Sequence, residues 1–243
     1  GFDYRGEPTP YAWPCISSHF GVLDTCGFPK DNFYYYQAWW TDRPVLHLFP
    51  HWNWTGREGQ DIEVWCHSNL ETVELLLNGK SLGKQEVPRN SHVAWKVPYM
   101  SGRLEARGFR GGTQVLADAR ETTGPAARIL LRSDRAQIVA GGEDVAMVAA
   151  LVVDAQGRTV PTANDAITFD VSGNGRLLGV GNGDPSSHES DLGPSRRAFN
   201  GMCMAIAQAG DRAAPMQLRA TAPGLEAGTV EIMCSEQPGR PSP

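Results

Sequence analysis

Asp3, Arg5, Glu7 and Asp24 are the residues near the start of the chain whose side chains suit acid–base chemistry or the recognition of polar ligands. Two carboxyl groups can divide the work of acid and base when both reach the same bond. Nothing in the spacing of Asp3, Glu7 and Asp24 makes two of them such a pair, so no catalytic residue is assigned. They lie in a stretch, residues 1–40, that holds twelve aromatic residues among Gly, Pro and polar side chains. An active-site loop has this composition, and so does the tail of a larger domain.

The elements that would position these residues are legible. Phe33, Tyr36, Gln37 and Trp40 recur at spacings of three and four, which predicts one aromatic face on a helix begun by Lys30 or Asp31. Thr41-Asp42-Arg43-Pro44 ends it, because proline disfavours helical backbone in the residue before it. Gly1-Phe2-Asp3-Tyr4 suits the end of a strand, and Arg5-Gly6-Glu7-Pro8-Thr9-Pro10 turns away from it. A strand, a long loop and a helix make one βα unit. In a (β/α)₈ barrel the strand ends line the mouth, which would place Asp3, Arg5 and Glu7 there.

Beyond Pro44 the pattern changes to short strands. Residues 45–49 and 61–66 precede the clearest local signal, residues 72–83, where Asn78-Gly79 supplies the positive φ angles of a tight hairpin. Residues 92–97, 103–108 and 113–119 continue the series, which pauses at Thr123-Gly124-Pro125. It resumes with residues 127–131, 144–153, 166–172, 203–207, 217–222 and 228–233. Regular short strands of this kind predict two β-sandwiches. Residues 173–200, rich in Gly, Asn, Asp and Ser, are expected to be a long loop. Within them Gly179–Asp184 has a phosphate-loop look without a following helix, and Asn182, Asp184, Glu189 and Asp191 offer oxygen ligands for calcium or, more simply, a tight Asx-turned loop. The simpler reading is preferred, and no metal or cofactor is expected.

Composition excludes several classes of function. The net charge is −5 with no Lys/Arg cluster, which argues against nucleic-acid binding. No apolar run approaches a membrane span and the start lacks a signal peptide, so any export signal would lie upstream. Export would put the protein in the periplasm or outside the cell; without it the protein is cytoplasmic. Five cysteines without C-x-x-C spacing read as buried thiols rather than zinc ligands or a disulfide framework. His47, His51 and His67 fit no zinc spacing and read as structural. Asn53-Trp54-Thr55 is a short glycosylation-type pattern.

The runs GFDYRGEPTPYAWP, SSHFGVLD, CGFPKD, YYYQAWW, LHLFPHWNWTGREG and VELLLNGKSLG resemble the C-terminal part of glycoside hydrolase family 2 enzymes, in particular bacterial β-galactosidases. GVGNGDPSSHE and RRAFNGMCMAIAQ resemble the family's terminal domain. The resemblance covers nearly the whole chain. It implies a mainly β fold: two tandem immunoglobulin-like β-sandwiches, residues 44–123 and 124–236, preceded in residues 1–43 by the last strand-loop-helix unit of a (β/α)₈ barrel. Residues 237–243 would be a disordered tail. The family's two catalytic Glu residues stand on earlier barrel strands, so the resemblance implies a chain that supplies one active-site loop but no catalytic pair. Substrate-contacting roles then fall to Asp3, Tyr4, Arg5, Glu7 and Phe20. Phe2 and Trp13 could join Tyr4 in an aromatic wall against a pyranose ring, or belong to packing. In the related β-glucuronidases a Lys that meets the sugar carboxylate stands where this chain has Phe20. A neutral β-galactoside is therefore the expected partner, with the remaining catalytic barrel as the other.

A second hypothesis of a different class is a carbohydrate-binding or cell-surface adhesion module built from tandem immunoglobulin-like domains; a third is a plain spacer. Trp52, Trp54 and Trp65 discriminate. Exposed in one plane they would make a binding platform, and buried they would be packing. If the barrel is missing, the aromatic helix face needs other cover. Residues 1–32 are then expected to be partly disordered or to dock on the first sandwich.

Overall fold

The computed structural model describes residues 1–236, so the expected tail at residues 237–243 lies outside the described residues. The chain divides into two compact units, one of Gly1–Asp3 with Phe20–Thr123 and one of Tyr4–His19 with the chain from Gly124 onward.

The first unit opens with a parallel bridge between Phe2 and Leu23 in place of a regular strand. Helix α1 (Asp31–Trp40) follows, its first turn carrying Asp31 and Lys30 standing at its N-cap, as the spacing predicts. Then come β1 (Leu46–Phe49), β2 (Asp61–Ser68), β3 (Thr72–Leu77), β4 (Lys80–Glu86), β5 (Val93–Pro98), β6 (Arg103–Arg110) and β7 (Thr113–Glu121). They form two sheets, β1-β2-β5 and β4-β3-β6-β7. Asn78 (φ 50°) and Gly79 (φ 81°) make the predicted tight turn between β3 and β4. Inward-facing Val64, Cys66, Val73, Leu75, Trp95 and Leu104 from the two sheets close one apolar core, the alternation a sandwich requires.

The second unit holds β8 (Arg128–Ser133), β9 (Gln137–Val139), β10 (Val145–Val153), β11 (Ala166–Gly173), β12 (Gly175–Gly181), β13 (Ser195–Arg197), β14 (Met202–Ala209), β15 (Met216–Thr221) and β16 (Gly228–Ser235). Its sheets are β12-β14-β10-β8 and β13-β11-β15-β16-β9. Val148, Val152, Phe169, Ala205, Leu218 and Ile232 lie in its core. The expected long loop at residues 173–200 is shorter than the composition suggests, because β12 and β13 stand inside it. Glycine weakens a strand, yet a Cβ on Gly175 would collide with the sulfur of Met216 and with the Gln208 carbonyl. That glycine serves a close approach between strands, and pairing with β14 overrides its low propensity.

The buried Asp154 carboxylate is paired. Asp154, whose side chain is inaccessible, takes the Arg158 guanidinium at 2.6 Å and the amides of Gly124, Gln156 and Arg158. Burial alone would raise its pKa, but these partners outweigh it and bring the carboxyl to about 2.

Helix α1 sits on the first sandwich through aromatic and histidine contacts. Tyr34 stacks on His47 at 3.7 Å between centroids, and Tyr35 meets His67 edge-on at 5.4 Å. His47 Nε2 also lies 2.8 Å from Asp31 Oδ1. His67 is only 4% exposed, and neither ring nitrogen has a hydrogen-bond partner. Burial, with His47 and His92 nearby, brings its pKa down to about 4. The unfolded chain, near 6.5, then binds the extra proton between those values, so stability is full above pH 6.5 and is lost as pH falls towards 4. The loss is on the order of 3 kcal/mol. Thermal melts at pH 7 and pH 4.5 are expected to separate in the wild type and to converge in His67→Phe; an unchanged pH dependence in that variant would refute the assignment.

Candidate functional site

Of the residues expected at a substrate-binding mouth, Asp3 and Phe20 belong to the first unit. Asp3 is 8% exposed. Its Oδ1 accepts the Gly21 amide at 2.7 Å and its Oδ2 takes the Lys30 ammonium at 2.7 Å. Its own amide donates to the Leu23 carbonyl at 2.9 Å. The carboxylate therefore ties the start of the chain to the N-cap of α1, and Lys30 is a partner that sequence reasoning did not supply. No short-range pattern could have shown it, since the two are far apart in the chain.

Asp24 is buried and turned inward. Its Oδ1 accepts the amides of Cys26 and Phe28 at 2.8 and 2.9 Å. Burial raises its pKa despite those amides, and the neighbouring Asp3 charge adds to the rise. Asp3 thus serves the Gly21 amide and Lys30, and Asp24 serves two backbone amides.

Phe20 is 62% exposed. With Val22, Phe33, Tyr36, Gln37 and Trp40 it lines an open apolar groove of about 530 Å³ in the first unit. These include the four helix positions whose spacing predicted a common face. The groove has no Lys or Arg in its lining.

Tyr4, Arg5 and Glu7 belong to the second unit, in a loop pinned to itself. The Tyr4 hydroxyl donates to the Glu7 carboxylate, both side chains lying at the surface. Gly6 donates to the Ile16 carbonyl at 2.9 Å, Ser18 to the Tyr4 carbonyl at 2.9 Å, and Tyr4 to the Ser18 hydroxyl at 3.0 Å. The Cys15 thiol donates to the Ser17 carbonyl at 3.1 Å, and the His19 ring lies 3.0 Å from the sulfur. Tyr11 stacks on His19 at 3.9 Å. Trp13 is 77% exposed and packs against His188 at 4.5 Å.

Of residues 1–32, expected to be partly disordered or to dock on the first sandwich, residues 1–3 and 20–32 belong to the unit of the first sandwich and residues 4–19 to that of the second. The Pro185 carbonyl accepts the amides of Ile16 (2.9 Å) and Ser17 (3.2 Å), and His188 Nε2 donates to the Pro14 carbonyl at 2.9 Å. Arg5 reaches Asp191 with both terminal nitrogens, at 2.8 and 2.9 Å.

The acidic stretch that offered calcium ligands folds instead around a guanidinium. Arg196 is 1% exposed and donates to Asp191 Oδ1 (3.0 Å), the Glu189 carbonyl (3.0 Å) and Asn182 Oδ1 (3.1 Å). Asn182 Oδ1 also accepts the Asp184 amide at 3.2 Å. A cation already occupies the centre of those oxygens. Among the described residues no helix begins after Gly179–Asp184, which leaves the phosphate-loop pattern without its dipole. Four cysteines are buried and Cys26 is half-buried, all as free thiols. The Asn53 side chain is engaged with Thr123 through both its amide nitrogen, at 2.7 Å, and its oxygen.

Trp52 is fully buried and its indole donates to the Met100 carbonyl at 2.8 Å. Trp54 and Trp65 are half-buried against His51 and His92. The three do not form an exposed platform.

Residues 129–231 match the model of glycoside hydrolase family 2 C-terminal domain 5, and residues 59–116 match a domain of unknown function (DUF4982). A beta-galactosidase, BoGH2A, of Bacteroides ovatus is 44% identical over 238 residues, covering 97% of this chain and 28% of the relative. A beta-glucuronidase of Formosa agariphila is 32% identical over 224 residues, covering 90% and 21% respectively. Among solved structures, a beta-glycosidase from Bacteroides vulgatus superposes with a TM-score of 0.90 at 34% identity, over 96% of this chain and 30% of that one. A beta-glucuronidase from glycoside hydrolase family 2 gives 0.82 at 27% identity, over 93% and 24%. The chain spans less than a third of the length of each of these relatives.

Proposed function

The chain belongs to the C-terminal region of glycoside hydrolase family 2, and from that premise we propose that it is the C-terminal part of a retaining β-galactosidase acting on the O-glycosidic bonds of neutral β-galactosides. Residues 1–43 would be the last strand-loop-helix unit of the catalytic barrel, contributing Asp3, Tyr4, Arg5, Glu7 and Phe20 to the sugar-binding mouth. The sandwiches, residues 44–123 and 124–236, would be accessory. The apolar groove along α1 would receive the preceding part of the barrel.

The observation that carries the substrate reading is Phe20. By the resemblance, its ring takes the place of a lysine of the β-glucuronidases. An aromatic ring cannot neutralise a uronate, whereas it suits the apolar face of an uncharged pyranose. The 44% identity to a beta-galactosidase supports the same choice. Retaining hydrolysis needs two carboxyl groups about 5–5.5 Å apart on either side of the glycosidic bond. Asp3 and Asp24 are committed to backbone amides and Lys30, so the pair must come from elsewhere in the barrel. The chain then offers positioning and fit, and the carboxyl pair does the bond breaking.

The test compares the full-length protein and the 243-residue chain on p-nitrophenyl β-galactoside and p-nitrophenyl β-glucuronide. The full-length protein is expected to favour the galactoside by about 100-fold or more in kcat/KM, the order a missing charge partner imposes. The shorter chain is expected to give no turnover above buffer. A glucuronide preference would overturn the substrate assignment, and turnover by the shorter chain would overturn the division of labour.

A further inference from the structure

We propose that Asp191 of the second sandwich is a positioning residue for the glycosidase reaction: it clamps the loop of residues 4–18 from outside the barrel, through a carboxylate shared between Arg5 and Arg196. The proposal rests on the reading of that loop as part of the active site.

The geometry is that of a two-sided clamp. Asp191 receives Arg5 through both carboxylate oxygens, at 2.8 and 2.9 Å, and Arg196 at 3.0 Å on Oδ1. Its own carbonyl accepts the Val180 amide at 2.8 Å, which fixes its backbone to β12. Arg196, on β13, is buried and held by Asn182 and Glu189 as well. The anchor is thus part of the sandwich framework. Arg5 in turn bridges Ser17 in the antiparallel sense, next to the Gly6–Ile16 hydrogen bond, so holding Arg5 holds both limbs of the loop. Pro185 takes the amides of Ile16 and Ser17, and His188 takes the Pro14 carbonyl. The segment from Pro185 to Asp191 therefore grips the loop at its base and along one limb.

A half-exposed ion pair by itself contributes little to stability. The value of this one is geometric, because Asp191 is oriented by a guanidinium that cannot move without opening the sandwich. A bidentate pair fixes angle as well as distance. Small displacements of substrate-contacting groups cost rate far more than they cost fold stability. A purely structural role for Asp191 would show in melting; a positioning role shows in kinetics and in local loop protection.

The experiment is a double-mutant cycle of Asp191→Asn and Arg5→Met. In the 243-residue chain, amide hydrogen exchange is read at Gly6, Ile16 and Ser18, with β10 and β14 as internal references. Asp191→Asn is expected to speed exchange at the three loop amides by about tenfold and to leave the references unchanged. In the full-length protein it is expected to lower kcat/KM on p-nitrophenyl β-galactoside by about tenfold, mainly in kcat, and the double variant to lose less than the product of the two singles. Arg5→Met leaves the Asp191–Arg196 pair in place, so it reports on the loop even where Asp191→Asn loosens the sandwich. Unchanged loop exchange in both singles, unchanged kcat/KM, or fully multiplicative losses would each overturn the proposal. The exchange arm uses no substrate: a wild-type enzyme silent on galactosides, with the exchange pattern as expected, would sink the substrate reading and leave the clamp standing.

Discussion

On the proposed glycosidase reading, replacing Gly21 with alanine in the full-length protein is expected to lower kcat/KM on p-nitrophenyl β-galactoside by about 100-fold while the sandwiches melt where they do in the wild type. Gly21 is buried, and a Cβ there would run into the Asp3 amide nitrogen, the Phe2 carbonyl carbon and the Leu23 carbonyl oxygen. All are backbone atoms and none can rotate aside. Asp3 is bonded to the Leu23 carbonyl at 2.9 Å and Leu23 to the Gly1 carbonyl at 3.1 Å, so relief requires opening this backbone pairing at the start of the unit. The Gly21 amide also donates to the Asp3 carboxylate, and that carboxylate holds Lys30 at the head of α1. Moving this group of atoms by about an ångström is the kind of misplacement that costs on the order of 100-fold in rate. The kinetic assay should be paired with calorimetry of the same sample. Retention of more than half the wild-type kcat/KM would show that the Phe2–Leu23 pairing does not set the active-site geometry.

Local signals in the sequence were enough for the elements that stand on local chemistry. Asn78-Gly79 specified its turn because few other residue pairs take two positive φ angles without strain. Phe33, Tyr36, Gln37 and Trp40 specified the helix face now found along one groove. What could not be read depended on partners distant in the chain. The strand β9 is three residues long and exists by parallel pairing with β16, which no short-range pattern announces. The strand β12 is glycine-rich and reads as loop until Met216 and Gln208 are seen packed against Gly175. The same limit governs the candidate site. A carboxylate expected at a strand end suggested a substrate contact for Asp3, but its Lys30 and Gly21 partners, which lie across the loop, were not legible. The four acidic and amide residues of the 182–191 stretch left a choice between ion ligands and the preferred Asx-turned loop, and the residue they gather around, Arg196, comes later and sits on a strand too short to stand out. Charge type was legible; charge pairing was not.

The largest effect on stability is expected from Trp52→Ala, and it bears on the alternative that the first sandwich is a carbohydrate-binding module. Trp52 is fully buried among Leu48, Val64, Tyr99 and Leu104 of one core. It meets Tyr99 edge-on at 5.2 Å and donates its indole N–H to Met100. Its carbonyl accepts the Thr122 hydroxyl at 2.7 Å, and that hydroxyl also takes the Gly102 amide. One residue thus joins three segments. Removing the ring is expected to cost about 3–5 kcal/mol, with a further penalty for the carbonyl of Met100 left without its donor. In a unit of this size that corresponds to a fall in melting temperature of roughly 15–30 °C. Calorimetry should resolve it as an early transition of the first unit, with the second unit, whose core shares no residue with this one, melting as in the wild type. A tryptophan that served as a sugar platform would behave oppositely: its loss would weaken retention on a glycan matrix and leave the melt nearly unchanged, since an exposed ring contributes little to the fold. Weakened retention of Trp52→Ala well below its melting temperature, with the transition unmoved, would restore the binding-module reading; an early-melting variant with unchanged retention assigns the ring to the core.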